Sequence, residues 1–184
     1  MATHSIEVKP VSGALGAEIS GVDISNPLST HELDILRSAF LEHQVICIRD
    51  QSLTPTQQIA FAKNFGEPDI YPFIKGLPDT PEVIEILKTE NDTVNFGGGW
   101  HSDTSYLEKP ALGSMLYALE TPTAGGDTMF ANMYLAYEAL SKGMRRMLDR
   151  LIGVNSSAQG YRGGRAKKMQ ELDGMKDKYI ENSQ

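Results

Sequence analysis

A chain of 184 residues, 40% of them hydrophobic, is long enough to bury one core, so a single globular domain is expected. Its net charge of −7 gives no basic field to attract nucleic acid, and no run of about 18 apolar residues exists that could span a membrane. The first residues lack the apolar stretch of a signal peptide, and the lone Cys47 cannot form an internal disulfide, so a soluble, cytoplasmic protein is expected.

The N-terminal third predicts short strands followed by a helix. Residues 6–25 alternate short apolar pieces with glycines, which is typical of strands joined by tight turns. Ser29 and Glu32 have the spacing of a capping box. A buried helical stripe follows at Leu33, Leu36 and Phe40.

A strand and a second helix come next. The apolar run of residues 45–48 predicts a strand, within which Cys47 is expected to be a buried thiol rather than a nucleophile. Thr54 begins a helix with Pro55 at its first position, where the missing N–H costs nothing, and Gly66 is a natural stop. The apolar face of this helix is predicted to consist of Ile59, Ala62 and Phe65.

The second half predicts further strands and two short helices. The predicted strands cover residues 83–87, 113–119 and 128–131, and the predicted helices lie within residues 133–152, broken near Ser141. The mixture indicates an α+β chain with a β-sandwich or barrel at its centre. Residues 162–184 are dominated by charged, glycine and polar residues, which favours a solvated, mobile segment over a packed helix.

His101 and Asp103 are the residues most indicative of chemistry. Side chains two positions apart on an extended segment lie on the same face, so an imidazole nitrogen and a carboxylate oxygen could bind one metal ion. They provide two of the three ligands of the two-His-one-carboxylate arrangement that holds non-haem Fe(II). The alternative is that the pair serves only hydrogen bonding. No histidine follows Asp103 in these 184 residues, and the earlier histidines suit a chain terminus or the first helix.

Thr128 follows the sequence Gly125-Gly126-Asp127 and has two interpretations. Its hydroxyl could donate a hydrogen bond to a carboxylate at the start of a strand. Alternatively, Thr128 is a β-favouring residue after a glycine turn. The residues alone leave both open.

The chain resembles the N-terminal part of the taurine dioxygenase and 2,4-dichlorophenoxyacetate dioxygenase family, the Fe(II)- and 2-oxoglutarate-dependent oxygenases. The matching stretches occur in family order across nearly the whole chain: residues 15–23, 41–45, 48–51, 65–67, 100–103, 125–128 and 136–141.

The resemblance implies a double-stranded β-helix, a distorted jelly roll with flanking helices, whose C-terminal strands are missing from this chain. Residues 1–161 would be the N-terminal part of one oxygenase domain, and 162–184 a lid-like segment. His101 and Asp103 would bind Fe(II), and Thr128 would bind a carboxylate of 2-oxoglutarate. The implied reaction uses molecular oxygen to hydroxylate a small organic acid, such as a sulfonate or phenoxy acid, with succinate and CO2 as co-products.

Two departures from the family bear on substrate and activity. Tyr71 and Gly97 stand where taurine-specific members have a His and an Asn, which argues against taurine. Candidates for the substrate wall are Tyr71, Phe73, Asn95 and Tyr161. The alternative is that Phe73 packs in the core and Tyr161 is a loop residue. The family's second iron-binding His and its 2-oxoglutarate arginine lie beyond the matched part, so the chain alone is expected to be inactive. The alternative is a non-catalytic homologue that acts as a binding module. Related enzymes commonly self-associate, which makes a homo-oligomer compatible with the resemblance.

Overall fold

The computed structural model describes residues 5–91, 97–157 and 181–183, which form two compact units. The first unit comprises Met1–Phe65 and Leu116–Arg150, and the second comprises Gly66–Met115 and Leu151–Gln184. The first unit contains β1 (Glu7–Pro10), β2 (Ala17–Ser20), α1 (Thr30–His43), β3 (Ile46–Ile48), α2 (Pro55–Ala62), α3 (Met133–Glu138) and α4 (Lys142–Leu148). The second contains β4 (Val154–Ser156), which pairs antiparallel with β5 (Glu181–Ser183).

A three-stranded sheet forms the centre of the first unit. β1 is antiparallel to β2, and β2 is parallel to β3, with Ala17 opposite Ile46. Ala17 and Ile19 are both 1% exposed, because alternate side chains of β2 point to the same buried face. The predicted N-terminal strands and the strand over residues 45–48 are confirmed.

Helix α1 connects the two parallel strands and begins at the predicted capping box. The Ser29 hydroxyl accepts from the Glu32 backbone N–H, and the Glu32 carboxylate accepts from the Ser29 backbone N–H. Of the predicted stripe only Leu36 is buried, whereas Leu33 and Phe40 are half-buried. The second buried residue of this helix is Ala39, which the sequence analysis did not select.

Helix α2 also begins as predicted, with Thr54 as its cap and Pro55 in its first turn. Its buried residue is Phe61, which the sequence analysis did not select, whereas Ile59 and Ala62 are half-buried. The Phe61 and Phe65 rings meet edge to face at 5.5 Å between centroids. Phe61 therefore packs against the ring that follows the helix.

The strands predicted at residues 83–87, 113–119 and 128–131 are wrong. All three segments lie outside regular secondary structure, because a strand requires a hydrogen-bonded neighbour and none pairs with them in the described part of the chain. Cys47 is likewise exposed rather than buried. It lies on the edge strand β3 and points away from the face that carries Ile46 and Ile48.

The predicted pair of short helices is confirmed as α3 and α4, with Ser141 as the cap of α4. Neither helix has a buried residue. Large apolar side chains of residues 116–148 are exposed and are called the apolar surface below: Leu116, Leu119, Met129, Phe130, Met133, Tyr134, Leu135, Tyr137, Met144, Met147 and Leu148. None of the helices in the described residues has the length and apolar character that a membrane span requires.

Candidate metal centre

His101 and Asp103 lie together in the second unit. Nε2 of His101 is 3.1 Å from Oδ1 of Asp103, and the two side chains are 52% and 54% exposed. The backbone that brings them together is not the extended strand that the sequence predicted, because Asp103 begins a turn. An imidazole nitrogen and a carboxylate oxygen, both common metal ligands, nevertheless lie side by side.

A backbone carbonyl contacts the His101 ring on the side away from Asp103. Its Nδ1 lies 2.7 Å from the carbonyl oxygen of Gly99. A carbonyl can only accept, so Nδ1 must carry the hydrogen and donate it. In the neutral ring Nε2 then carries a lone pair that a metal could accept, whereas in the protonated ring Nε2 donates to Oδ1 of Asp103 and the two groups form an ion pair. A histidine metal ligand is commonly fixed in this way by a partner on its other nitrogen.

Gly97 borders the same ring. A Cβ at this position would lie 3.3 Å from Cε1 of His101, and the residue has a φ of +70°. Both observations favour glycine, because a side chain would crowd the ring and strain the backbone. The glycine therefore leaves open space beside the imidazole.

The Asp103 carboxylate is also held on its outer side. The Ser114 hydroxyl donates to Oδ2 at 2.7 Å, while Oδ1 faces His101. The next residue, Thr104, has a φ of 53°, an uncommon conformation for a β-branched side chain. Its Oγ1 accepts from the Ala111 N–H at 3.1 Å, and its carbonyl accepts from the Leu107 N–H at 2.8 Å. These bonds hold a strained turn directly after the carboxylate.

The donor pair fits a divalent metal. Donors at adjacent corners of an octahedron with metal–ligand distances of about 2.1 Å are about 3.0 Å apart, close to the separation of Nε2 and Oδ1. Imidazole and carboxylate together are typical of non-haem iron. Among the described residues no cluster of three or more His, Cys, Asp or Glu side chains is suited to a metal.

The other predicted site residues have different locations. Thr128 lies in the first unit and is exposed. Tyr71 and Phe73 are neighbours in the second unit, with ring centroids 5.6 Å apart, and Phe73 is only 7% exposed. Asn95 and Tyr161 lie outside the described residues, as do residues 162–180 and 184 of the segment predicted to be mobile.

Tyr106 belongs beside these residues and was missed by the sequence analysis. Its ring centroid is 5.6 Å from that of Phe73, so Phe73 lies between two tyrosines. Tyr106 follows Asp103 by three residues and lies in the same turn. Its closeness to Asp103 in the sequence is the signal that could have found it.

Comparison with known proteins identifies the family. The sequence model of the taurine catabolism dioxygenase TauD, TfdA family matches residues 7–182, and the chain belongs to this family. An alpha-ketoglutarate-dependent sulfate ester dioxygenase of Pseudomonas putida is 33% identical over 163 residues, which are 87% of this chain and 53% of that protein. The expected family of 2-oxoglutarate-dependent oxygenases is confirmed.

Solved structures agree with this assignment. A taurine dioxygenase from Burkholderia xenovorans superposes with a TM-score of 0.72 at 39% identity, covering 82% of this chain and 54% of that one. The structure of AAD-2 in complex with Mn(II) and N-oxalylglycine superposes with a TM-score of 0.67 at 27% identity, covering 92% of this chain and 61% of that one. The chain is thus similar in structure to the part of these proteins that it covers, and it spans about half the length of the curated relative.

Proposed function

We propose that this chain is part of an Fe(II)- and 2-oxoglutarate-dependent dioxygenase that hydroxylates a small organic acid, with succinate and CO2 as co-products. The observation that carries the proposal is the 3.1 Å distance between Nε2 of His101 and Oδ1 of Asp103. The other polar atom of each side chain, Nδ1 and Oδ2, already has a hydrogen-bond partner. Membership of the TauD, TfdA family supports the same chemistry.

His101 and Asp103 are the proposed protein ligands of the iron. When bound, the iron supplies open coordination positions at which oxygen and 2-oxoglutarate react, and the protein orients the reactants. The Gly99 carbonyl contacts Nδ1 of His101, which leaves Nε2 as the proposed metal-binding atom of the ring. Thr128 is proposed to donate its hydroxyl hydrogen to a carboxylate of 2-oxoglutarate. Its exposure in the first unit leaves the hydroxyl accessible to such a ligand.

The proposed substrate is an apolar or aromatic acid rather than taurine. Gly97 leaves open space beside the His101 ring at the place where taurine-specific members have an Asn. Tyr71 is half-buried and packs edge to face against Phe73, which offers an aromatic surface in the same unit. Asn95 and Tyr161 are the further proposed members of the substrate wall. The name of the Pseudomonas putida relative adds sulfate esters to the classes worth testing.

The apolar surface favours a second candidate function. Eleven large apolar or aromatic side chains between Leu116 and Leu148 are exposed, and exposed apolar patches mark interaction sites. The relatives have nearly half their length outside the matched region. We infer that this surface binds the remaining half of the domain, and that the chain without that half is a non-catalytic interaction module.

The test is 2-oxoglutarate turnover by this chain joined to the remaining half of a family domain. Succinate should form with Fe(II), ascorbate and one of a panel of sulfonates, sulfate esters and phenoxy acids. His101→Ala and Asp103→Ala should abolish it in proteins whose circular dichroism is unchanged. Full activity of folded Asp103→Ala would refute the ligand assignment, and succinate formation by the 184-residue chain alone would refute the requirement for the second half.

A further inference from the structure

Ser114 is the side chain that engages the outer oxygen of Asp103. Its Oγ lies 2.7 Å from Oδ2, and the two residues are 11 positions apart in the sequence. An ionised carboxylate can only accept hydrogen bonds, so the serine hydroxyl is the donor. Oδ1 of the same carboxylate lies 3.1 Å from Nε2 of His101. The two oxygens of Asp103 therefore have different partners.

The path of the chain explains how Ser114 reaches Asp103. The loop from Thr104 to Ala111 is closed by the hydrogen bond from the Ala111 N–H to the Thr104 hydroxyl, 3.1 Å long. This bond returns the chain to the residue beside Asp103. Ser114 follows three residues later and donates to the carboxylate. The strained φ of Thr104 and the serine contact thus belong to one closed loop.

We propose that Ser114 is a positioning residue, which fixes the Asp103 carboxylate so that Oδ1 alone is presented beside His101. The Asp103 side chain is 54% exposed, so packing does little to fix its torsions. A hydroxyl on Oδ2 restricts rotation of the carboxylate and disfavours binding through both oxygens. The Gly99 carbonyl fixes His101 in the equivalent way. The metal part of this inference rests on the proposed function.

The experiment compares Ser114→Ala, which removes the hydroxyl, with Ser114→Thr, which keeps it. Ser102→Ala is the matched control, because Ser102 lies between the two ligands and makes no side-chain hydrogen bond in the part of the chain that the structure describes. The first measurement is the three-bond coupling between the α and β protons of Asp103, which reports its side-chain rotamer without any metal. The wild type, Ser114→Thr and Ser102→Ala should show one rotamer, and Ser114→Ala should show averaged couplings.

The second measurement is a Co(II) titration followed by the ring-proton shifts of His101. Loss of an outer partner of a metal ligand weakens binding by about 10-fold or more, so Ser114→Ala should raise the dissociation constant by that factor while Ser114→Thr does not. Unchanged couplings in Ser114→Ala, or averaged ones in the wild type, would overturn the inference. A Ser114-dependent rotamer without a Co(II) shift at His101 would support the positioning and contradict the metal centre.

Discussion

The Tyr117 hydroxyl binds two backbone groups of one connection, donating to the Gln51 carbonyl at 3.2 Å and accepting from the Leu53 N–H at 3.1 Å. Gln51 and Leu53 lie between β3 and α2, more than 60 residues earlier in the chain. The Tyr117 hydroxyl therefore links the two chain segments of the first unit, residues 116–150 and residues 1–65, by hydrogen bonds.

Tyr117→Phe should lower the free energy of unfolding by about 1–2 kcal/mol, because two part-buried backbone groups lose their partner. Urea denaturation measures this. Tyr134→Phe is the matched control: Tyr134 is 73% exposed, and its loss of a hydroxyl should change the free energy by no more than about 0.5 kcal/mol. Equal effects of the two substitutions would show that the Tyr117 contacts do not stabilise the fold.

The capping box of α1 predicts a pH dependence. Hydrogen bonds from the Ser29 hydroxyl, and then from its backbone N–H, hold the pKa of Glu32 below the ordinary value of 4.5. Because the folded-state pKa is lowered, the stabilisation is complete above 4.5 and is lost as the pH falls through the folded-state value. The urea midpoint of the wild type should exceed that of Glu32→Gln at pH 7, and this advantage should shrink below pH 4.5.

Ser29→Ala is the control for this effect. Without the hydroxyl, the largest cause of the lowered pKa is gone, so the effect of Glu32→Gln on the urea midpoint should vary less with pH in the Ser29→Ala background. An effect of Glu32→Gln that stays constant through the acid range in the wild-type background would contradict the prediction.

The elements that the sequence predicted correctly depend on neighbours a few residues apart. Each helix start is encoded within one turn, by Ser29 and Glu32 for α1 and by Thr54 and Pro55 for α2. These starts can therefore be predicted without knowledge of the fold. Strands depend on distant partners. Residues 113–119 have an apolar pattern suited to a strand but no ladder in the described part of the chain, and Cys47 is exposed because of where β3 lies in its sheet.

The candidate site shows the same division. The pairing of His101 with Asp103 was visible in the sequence, but a turn rather than the predicted extended strand brings the two donors together. The Gly99 carbonyl could not be predicted as a partner, because every residue has one. The contact between Ser114 and Asp103 could not be predicted either, since it depends on the loop that Thr104 and Ala111 close. Contacts to the far side of a ligand residue depend on the tertiary structure, so the sequence does not reveal them. The metal-donor atoms depend only on the residue type, so the sequence does.

Phe130→Ser tests whether the apolar surface is an interface. Phe130 is 53% exposed, so in the 184-residue chain the substitution should lower the free energy of unfolding by only about 1 kcal/mol. In a protein that also carries the remaining half of the domain, the same substitution should cost about 3–5 kcal/mol, the range for removing a buried phenyl ring. Leu36→Ala, at a fully buried position, should be costly in both. Equal small effects of Phe130→Ser in both proteins would exclude this residue from the interface.

Gly97→Ala should disturb the candidate metal centre. The added Cβ would lie 3.3 Å from Cε1 of His101, and the φ of +70° strains any residue that has a Cβ. The proton on Cε1 should change its chemical shift, and Co(II) should bind less tightly. Gly66→Ala, where nothing lies within 4 Å of the added Cβ, should change neither property. A tightly bound metal in Gly97→Ala would mean that the ring does not need this space.

The most direct test of the account is selective broadening of histidine ring signals by substoichiometric Mn(II). Paramagnetic broadening falls steeply with distance, so a metal held by His101 and Asp103 should broaden the His101 ring protons first. His31 and His43, both in α1, serve as internal controls. Asp103→Ala should reduce broadening at His101 to the level of those two residues. Uniform broadening of all three rings in the wild type, or unchanged selectivity in Asp103→Ala, would contradict a metal centre built on this pair.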